Sequence, residues 1–513
     1  MIHRIATVGI ALGLVMTGMA GGAERQPPAT VESADHVRFL RGAPGPSDPW
    51  RLRHTPLKAQ NLDDCVEQAM ADVGTPGASM AIWHDGALVT TRGYGVKRRG
   101  QNDPVTPQTI FRIGSITKMM TAAAVLQQVE AGTVDLAAPI TDLIPEFALK
   151  APWAAETLTS HHLLTHTTGF PDRLSDIEGR TDEQALTDWA AQQSVTELHA
   201  PPGAFWNYSN PNFMLAGLVA ERGSGTPYHR YMAEQVWLPA GMPSTSLTPA
   251  EAMADGDWSY GHYTNPQSGT EVILAPDAYD HWAAAPAGWA FSTATDLVRW
   301  AALLMDGGGG VLSESSVELM IAPHEPTRYA ASEHYGYGVM TDQYNGVEVK
   351  FHGGNLTGWG AFLLWVPSED FAVAVLANTF ESLPQATYCI ADVHLGLETV
   401  DPPDEGTDPA TWSGYAGAYS GFDVLGRQWR AEVVPHAQGA TFVLIPEWSP
   451  DEMLETELVQ VYEHTFVVDL DHNGSYDADF TFVLNETSGR SEWIRSRQLV
   501  LERQQNARGD ALR

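Results

Sequence analysis

Ser115-Ile116-Thr117-Lys118 sets a hydroxyl and an amine three residues apart. On a helix such residues share a face, so the Lys118 amine can reach the Ser115 hydroxyl. A serine hydroxyl is a poor nucleophile until a base takes its proton, and a desolvated lysine can serve as that base. The remaining lysines have Thr55, Tyr94, Phe147 or Val347 three residues before them, so the pattern occurs once. Tyr208-Ser209-Asn210 supplies a second group. A phenol near a lysine loses its proton more easily and can carry it to a leaving group, while Asn210 can hold a substrate amide or carbonyl. Tyr263-Thr264-Asn265 repeats that pattern among Gly, Pro, Gln and Ser, as in an exposed loop. Tyr208 instead leads into the apolar run 213–220. A third group is His352-Gly353-Gly354, where glycine after a strand lets a substrate lie along a sheet edge and be gripped by backbone N–H groups. The other His-x-Gly matches, at His84, His394 and His472, read as a hairpin turn, a helix end and another turn.

The elements that must hold these groups are legible around them. Met119, Ala123, Leu126 and Val129 recur at spacings of three or four, and Gly132 follows, which predicts a helix over 116–131 opening at the Ser-x-x-Lys. Its N-terminus offers unpaired N–H groups where an oxyanion would form. Residues 80–83 and 88–91 alternate around His84-Asp85-Gly86 as a hairpin. The apolar runs 361–366 and 371–377, split by Pro367-Ser368-Glu369-Asp370, read as antiparallel strands of a buried sheet, with a final helix near 385–395. Past the charged, Pro-rich linker 401–411, short alternating runs to about 505 predict an all-β domain.

Taken in order, these residues resemble the serine β-lactamase and penicillin-binding-protein superfamily, in its class C β-lactamase, esterase and D-aminopeptidase branch (the S12 peptidase type). Pro76-Gly77-Ala78-Ser79-Met80-Ala81, Leu163-Leu164-Thr165-His166-Thr167-Thr168-Gly169-Phe170, Ala287-Gly288-Trp289 and Tyr335-Gly336-Tyr337-Gly338 resemble its landmarks, and the likeness covers roughly residues 60–397. The resemblance implies an α+β fold, an antiparallel sheet flanked by helices with an all-helical region. The small C-terminal all-β domain resembles the lipocalin-like domain appended to some members. It further implies Ser115 as nucleophile, Lys118 as its base partner, Tyr208 as proton shuttle and Asn210 as a substrate ligand, with substrate-binding roles for His352 and Gly354. The N–H groups of Ser115 and Asn355 would form the oxyanion hole. No metal or organic cofactor is implied. The family packs its first and last helices side by side, which would bring Cys65 and Cys389 together as a disulfide.

Two residues depart from the family pattern. Where β-lactamases and transpeptidases carry Lys, this chain has His352. Histidine is mostly neutral at pH 7.5 and holds a substrate carboxylate less well, as in the esterase and D-aminopeptidase members. Trp289 stands where Gly is commoner, and would narrow the pocket or only pack. The expected function is therefore a secreted serine hydrolase cleaving small esters or amides, D-amino-acid peptides among them, through an acyl-enzyme on Ser115. A β-lactamase or DD-carboxypeptidase, and a penicillin-recognising or scaffold protein with little turnover, are the alternatives.

Composition sets the frame. With 29 Lys+Arg against 63 Asp+Glu the net charge is −34, which excludes a nucleic-acid binder and disfavours anionic membranes. Residues 1–23 read as a signal peptide: Arg4, an apolar stretch from Ile5 to about Met19, then small residues. That predicts a periplasmic or extracellular protein whose mature form makes no stable membrane insertion. Residues 24–56 form a lead-in, 57–400 the catalytic domain and 412–505 the C-terminal domain. The trio His161, His162 and His166 lacks the Glu that a zinc-protease pattern requires after His162 and reads as structural. Asp469-x-Asp471-x-Asn473-Gly474 has Phe480 where a calcium loop needs Glu, and reads as a turn. Gly307-Gly308-Gly309-Gly310 reads as a flexible connector.

Overall fold

A computed structural model describes residues 57, 59, 61–174, 179–265, 268–330, 332–398, 400, 412–436, 439–462, 464–468, 478–485 and 487–504. The expected signal peptide, the whole lead-in, the linker and the Asp469–Asn473 turn lie outside the described residues. Two compact units are present, one within Pro46–Asp404 and one within Glu405–Arg513.

The first unit is an antiparallel sheet between two helical layers. Helix α1 (Leu62–Val73) is capped by the Asn61 side chain, which accepts from the N–H groups of Asp63 and Asp64, and it stops at Gly74 in the left-handed region. Strands β1 (Gly77–His84) and β2 (Ala87–Gly95) form the expected hairpin, with Asp85 and Gly86 both at positive φ, as a tight two-residue turn demands. Helix α2 (Thr117–Glu130) follows the nucleophile turn, and α3 (Asn210–Ser224) and α4 (Ala294–Met305) come later. The chain then returns to the sheet as β3 (Glu325–Pro326), β4 (His334–Tyr335), β5 (Met340–Tyr344), β6 (Val347–Leu356), β7 (Trp359–Val366) and β8 (Phe371–Ala377), and closes with α5 (Pro384–Leu395).

The strand order is β2-β1-β8-β7-β6-β5-β4-β3. On β7 and β8 the side chains alternate between two cores. Phe362, Leu364, Phe371, Val373 and Val375 join the core that includes residues of α1 and α5. Ala361, Leu363, Trp365, Ala372, Ala374 and Leu376 join the one that includes residues of α2, α3 and α4. Burial on both faces explains why these strands read as unbroken apolar runs. Cys65 on α1 and Cys389 on α5 are joined by a disulfide, their Cα atoms 5.7 Å apart.

The second unit holds β9 (Gly417–Asp423), β10 (Gln428–His436), β11 (Gly439–Pro446), β12 (Leu454–Glu457), β13 (Val459–Tyr462), β14 (Thr465–Val468), β15 (Ala478–Leu484), β16 (Ser491–Arg495) and β17 (Leu499–Arg503). They make one antiparallel, near-barrel sheet in the order β12-β11-β10-β9-β17-β16-β15-β14-β13, around an aromatic core that includes Trp412, Tyr415, Tyr419, Trp429, Phe466 and Phe482. No helix among the described residues is long and apolar enough to cross a membrane.

Candidate active site

Ser115 lies in a single 3₁₀ turn, Gly114–Ile116, that runs directly into α2. The Thr117 hydroxyl ties that turn by donating to the Gly114 carbonyl at 2.7 Å. One turn on, Lys118 is fully buried, and its Nζ donates to Asn210 Oδ1 at 2.7 Å and the Ala287 carbonyl at 2.5 Å and stands 3.0 Å from Ser115 Oγ, so that a neutral amine keeps its lone pair for the hydroxyl. The same Nζ stands 4.9 Å from the centroid of the Tyr208 ring, itself buried. Four residues from three separate stretches of the chain thus meet at one amine.

Asn210, the first residue of α3, is oriented by Asp172. Its N–H and its Nδ2 both donate to Asp172 Oδ1, at 2.8 and 3.0 Å, which leaves Oδ1 of the amide turned to Lys118. Asp172 was not foreseen: a lone carboxylate after Phe170-Pro171 carries no pattern, and only the fold brings it to Asn210.

Strand β6 closes another side. It does not end at the histidine, as the sequence suggests, but continues through Gly353 and Gly354 to Leu356. A Cβ on Gly354 would sit 1.9 Å from the Ile113 carbonyl, and one on Gly114 would sit 2.6 Å from the Asn355 nitrogen. The glycines are therefore required by backbone lying on backbone, the nucleophile turn against the strand, and this brings the Asn355 nitrogen beside that turn. The Asn355 side chain is held away by donating to the Phe380 carbonyl at 2.6 Å.

His352, expected at the substrate side of the site, is held by two polar neighbours. The ring is fully buried, with Nδ1 2.6 Å from the Gly353 carbonyl and Nε2 3.1 Å from the Tyr335 hydroxyl. Nδ1 must carry the hydrogen it gives to a carbonyl, so Nε2 accepts from Tyr335. Burial, with Lys118 close by as a lesser cause, pushes its pKa down to about 3, so the ring is neutral through the physiological range. Burial raises the Tyr335 phenol well above its ordinary value, keeping it a donor. His352 thus backs the site as a neutral wall, 6.4 Å from the Tyr208 ring centre to centre.

Arg112, three residues before the nucleophile, was also unforeseen. Its buried guanidinium donates to the carbonyls of Pro276 at 2.7 Å and Tyr279 at 2.8 Å, and it lies 4.2 Å over the Phe291 ring. It pins the 276–279 segment to the short strand Phe111–Arg112 that precedes the Ser115 turn. Trp289 is buried, 5.8 Å from the His281 ring, and packs. His161, His162 and His166 do not converge on a metal: among the described residues no group of three or more His, Cys, Asp or Glu is placed to hold one.

A single antiparallel sheet between two helical layers, with a Ser-x-x-Lys turn opening a buried helix, is the architecture of the β-lactamase-fold class of hydrolases. The family model described as Beta-lactamase matches residues 62–398, and the chain belongs to that family. Its relatives include the unguisins hydrolase ungD' of Aspergillus campestris, 29% identical over 411 residues that cover 77% of this chain and 74% of that protein. Protein flp of Staphylococcus aureus is 27% identical over 323 residues, 62% of this chain, and the match spans 63% of its own length. Among solved structures, SurE superposes with a TM-score of 0.65 at 22% identity, over 86% of this chain and 98% of its own. The D-amino acid amidase of Ochrobactrum anthropi does so at 0.55 and 24%, over 65% and 99%. At these identities the solved structures show the shared fold.

Proposed function

We propose that the protein is an exported serine hydrolase that cleaves small esters or amides, D-amino-acid peptides among them, through an acyl-enzyme on Ser115. The observation that carries this reading is the Lys118 Nζ to Ser115 Oγ contact of 3.0 Å inside a buried site. Ser115 Oγ attacks the substrate carbonyl while its proton passes to the Lys118 amine. Tyr208 gives its phenolic proton to the leaving oxygen or nitrogen as that bond breaks, and is reprotonated from Lys118. Water then releases the acyl group by the same transfers in reverse. The N–H groups of Ser115 and Asn355 hold the oxyanion, and Asn210 holds the substrate amide.

The neutral His352 favours this reading over a β-lactamase or DD-carboxypeptidase, because it offers no fixed charge for a substrate carboxylate. An unguisins hydrolase and a D-amino acid amidase stand among the similar proteins, which supports hydrolysis of small acyl compounds. The leader at 5–19 supports export, and so does the Cys65–Cys389 bridge, a bond that oxidising compartments preserve. Purified protein assayed with p-nitrophenyl acetate, a D-alanine peptide and nitrocefin tests the proposal. Turnover of the first two above nitrocefin, lost in Ser115→Ala, is expected. Preferred hydrolysis of nitrocefin would overturn the substrate assignment.

A further inference from the structure

The geometry points to His166 as the positioning residue for Tyr208, an inference that rests on the proton-donating role proposed above. His166 belongs to the loop after the short helix Ser160–Leu164 and has φ +58, a conformation that non-glycine residues adopt only when their surroundings impose it. The surroundings do so by pairing this loop with the segment that leads into Tyr208. Asn207 N donates to the His166 carbonyl at 2.8 Å, Gly203 N to the Thr167 carbonyl at 2.7 Å, and His199 N to the Gly169 carbonyl at 2.7 Å.

The imidazole then grips Tyr208 from two directions. Its ring lies 4.2 Å from the Tyr208 ring, inclined by 38°. Its Nδ1 accepts the backbone N–H of Ser209 at 3.2 Å and stands 3.0 Å from Asn212 Nδ2. The Ser209 N–H can only donate, so Nδ1 carries no hydrogen. Asn212 is oriented to match, because its Oδ1 takes the Thr168 hydroxyl at 2.6 Å and turns its amide nitrogen to the imidazole. One residue therefore fixes the backbone on both sides of Tyr208, through its carbonyl and its Nδ1, and the ring between them. Lys118 Nζ lies 4.9 Å from the centre of that same ring, so a tilt of the phenol alters its approach to the reacting groups. Displacements near 1 Å are enough to cost a reaction on the order of 10²-fold.

The test uses leaving groups. A p-nitrophenolate departs without a proton, whereas the alkoxide of benzyl acetate must receive one. His166→Gly deletes ring and acceptor at a φ that glycine tolerates. It should lower kcat/KM, which reports acylation and leaves out the acetyl-enzyme hydrolysis common to both esters, by roughly 10–100-fold on benzyl acetate and by less than about threefold on p-nitrophenyl acetate. His166→Asn, which accepts left-handed φ and restores an acceptor for Ser209, should recover part of the loss. Adding His166→Gly to Tyr208→Phe should cost nothing further, since both remove one function. If His166→Gly yields no folded protein, Asn212→Ala carries the test with the same bias at smaller amplitude. Equal losses on both esters, or a multiplicative double variant, would overturn the assignment of His166. Should Tyr208→Phe itself lack the leaving-group bias, it is the proton-donating role of Tyr208 that fails.

Discussion

Acid should destabilise this protein through His352. Its pKa falls from 6.5 to about 3 because folding buries the ring and sets it near Lys118. Above pH 6.5 neither the folded nor the unfolded chain holds a proton there. Between the two values the unfolded chain binds one and the folded chain does not, so stability is full above pH 6.5 and declines as pH falls toward 3. For a shift from 6.5 to about 3, the loss at pH 5 works out at about 2 kcal/mol. His161, His162, His262 and His394 are also depressed by burial and share the direction, so wild type alone does not isolate the effect. The assay is urea unfolding of wild type and His352→Gln at pH 7.5 and 5.0. The change in unfolding free energy between the two pH values should be about 2 kcal/mol smaller in the variant. Equal changes in the two proteins would refute the reasoning, since they would mean that His352 accepts a proton in the folded state as readily as in the unfolded one.

Ser115→Ala and Lys118→Ala should each remove nearly all ester turnover, and the double variant should be no worse, because hydroxyl and amine act as a unit; substantial activity in either contradicts the mechanism. Asp172→Ala frees the Asn210 amide from a charge-assisted pair and should lower kcat/KM roughly 10–100-fold with the fold intact by circular dichroism. Gly354→Ala forces a methyl against the Ile113 carbonyl and should destabilise by about 1–3 kcal/mol in denaturant titration, with activity lost. Cys65→Ser removes a cross-link spanning 324 residues and should cost about 2–5 kcal/mol in the same titration, with no change in kcat for the folded fraction.

What the sequence makes legible is what depends on local pattern. The helix behind Ser115 declares itself by apolar spacing and a glycine stop, and β7 and β8 by unbroken apolar runs. Long-range geometry is not written that way. Asp172 and Arg112 act on residues 38 and 164 positions away, and neither stands in a motif. The His352-Gly353-Gly354 pattern marks where the site lies, but the hydrogen bond that joins its ring to Tyr335, 17 positions away, follows from no motif. Gly307 to Gly310 read as a flexible connector, yet all four have positive φ and wind into a bonded turn, with Gly308 N donating to the Leu303 carbonyl at 2.8 Å. Four glycines in succession signal either freedom or a chain path that only glycine can follow, and composition does not separate the two.

The central claim is that the Ser115 hydroxyl is an activated nucleophile. A fluorophosphonate probe forms a stable adduct with such a group, and peptide mass mapping locates it. Folded wild type should carry one adduct, on Ser115, and Lys118→Ala should carry none under the same conditions. An unmodified Ser115 in folded protein, or labelling that persists without Lys118, would contradict the account.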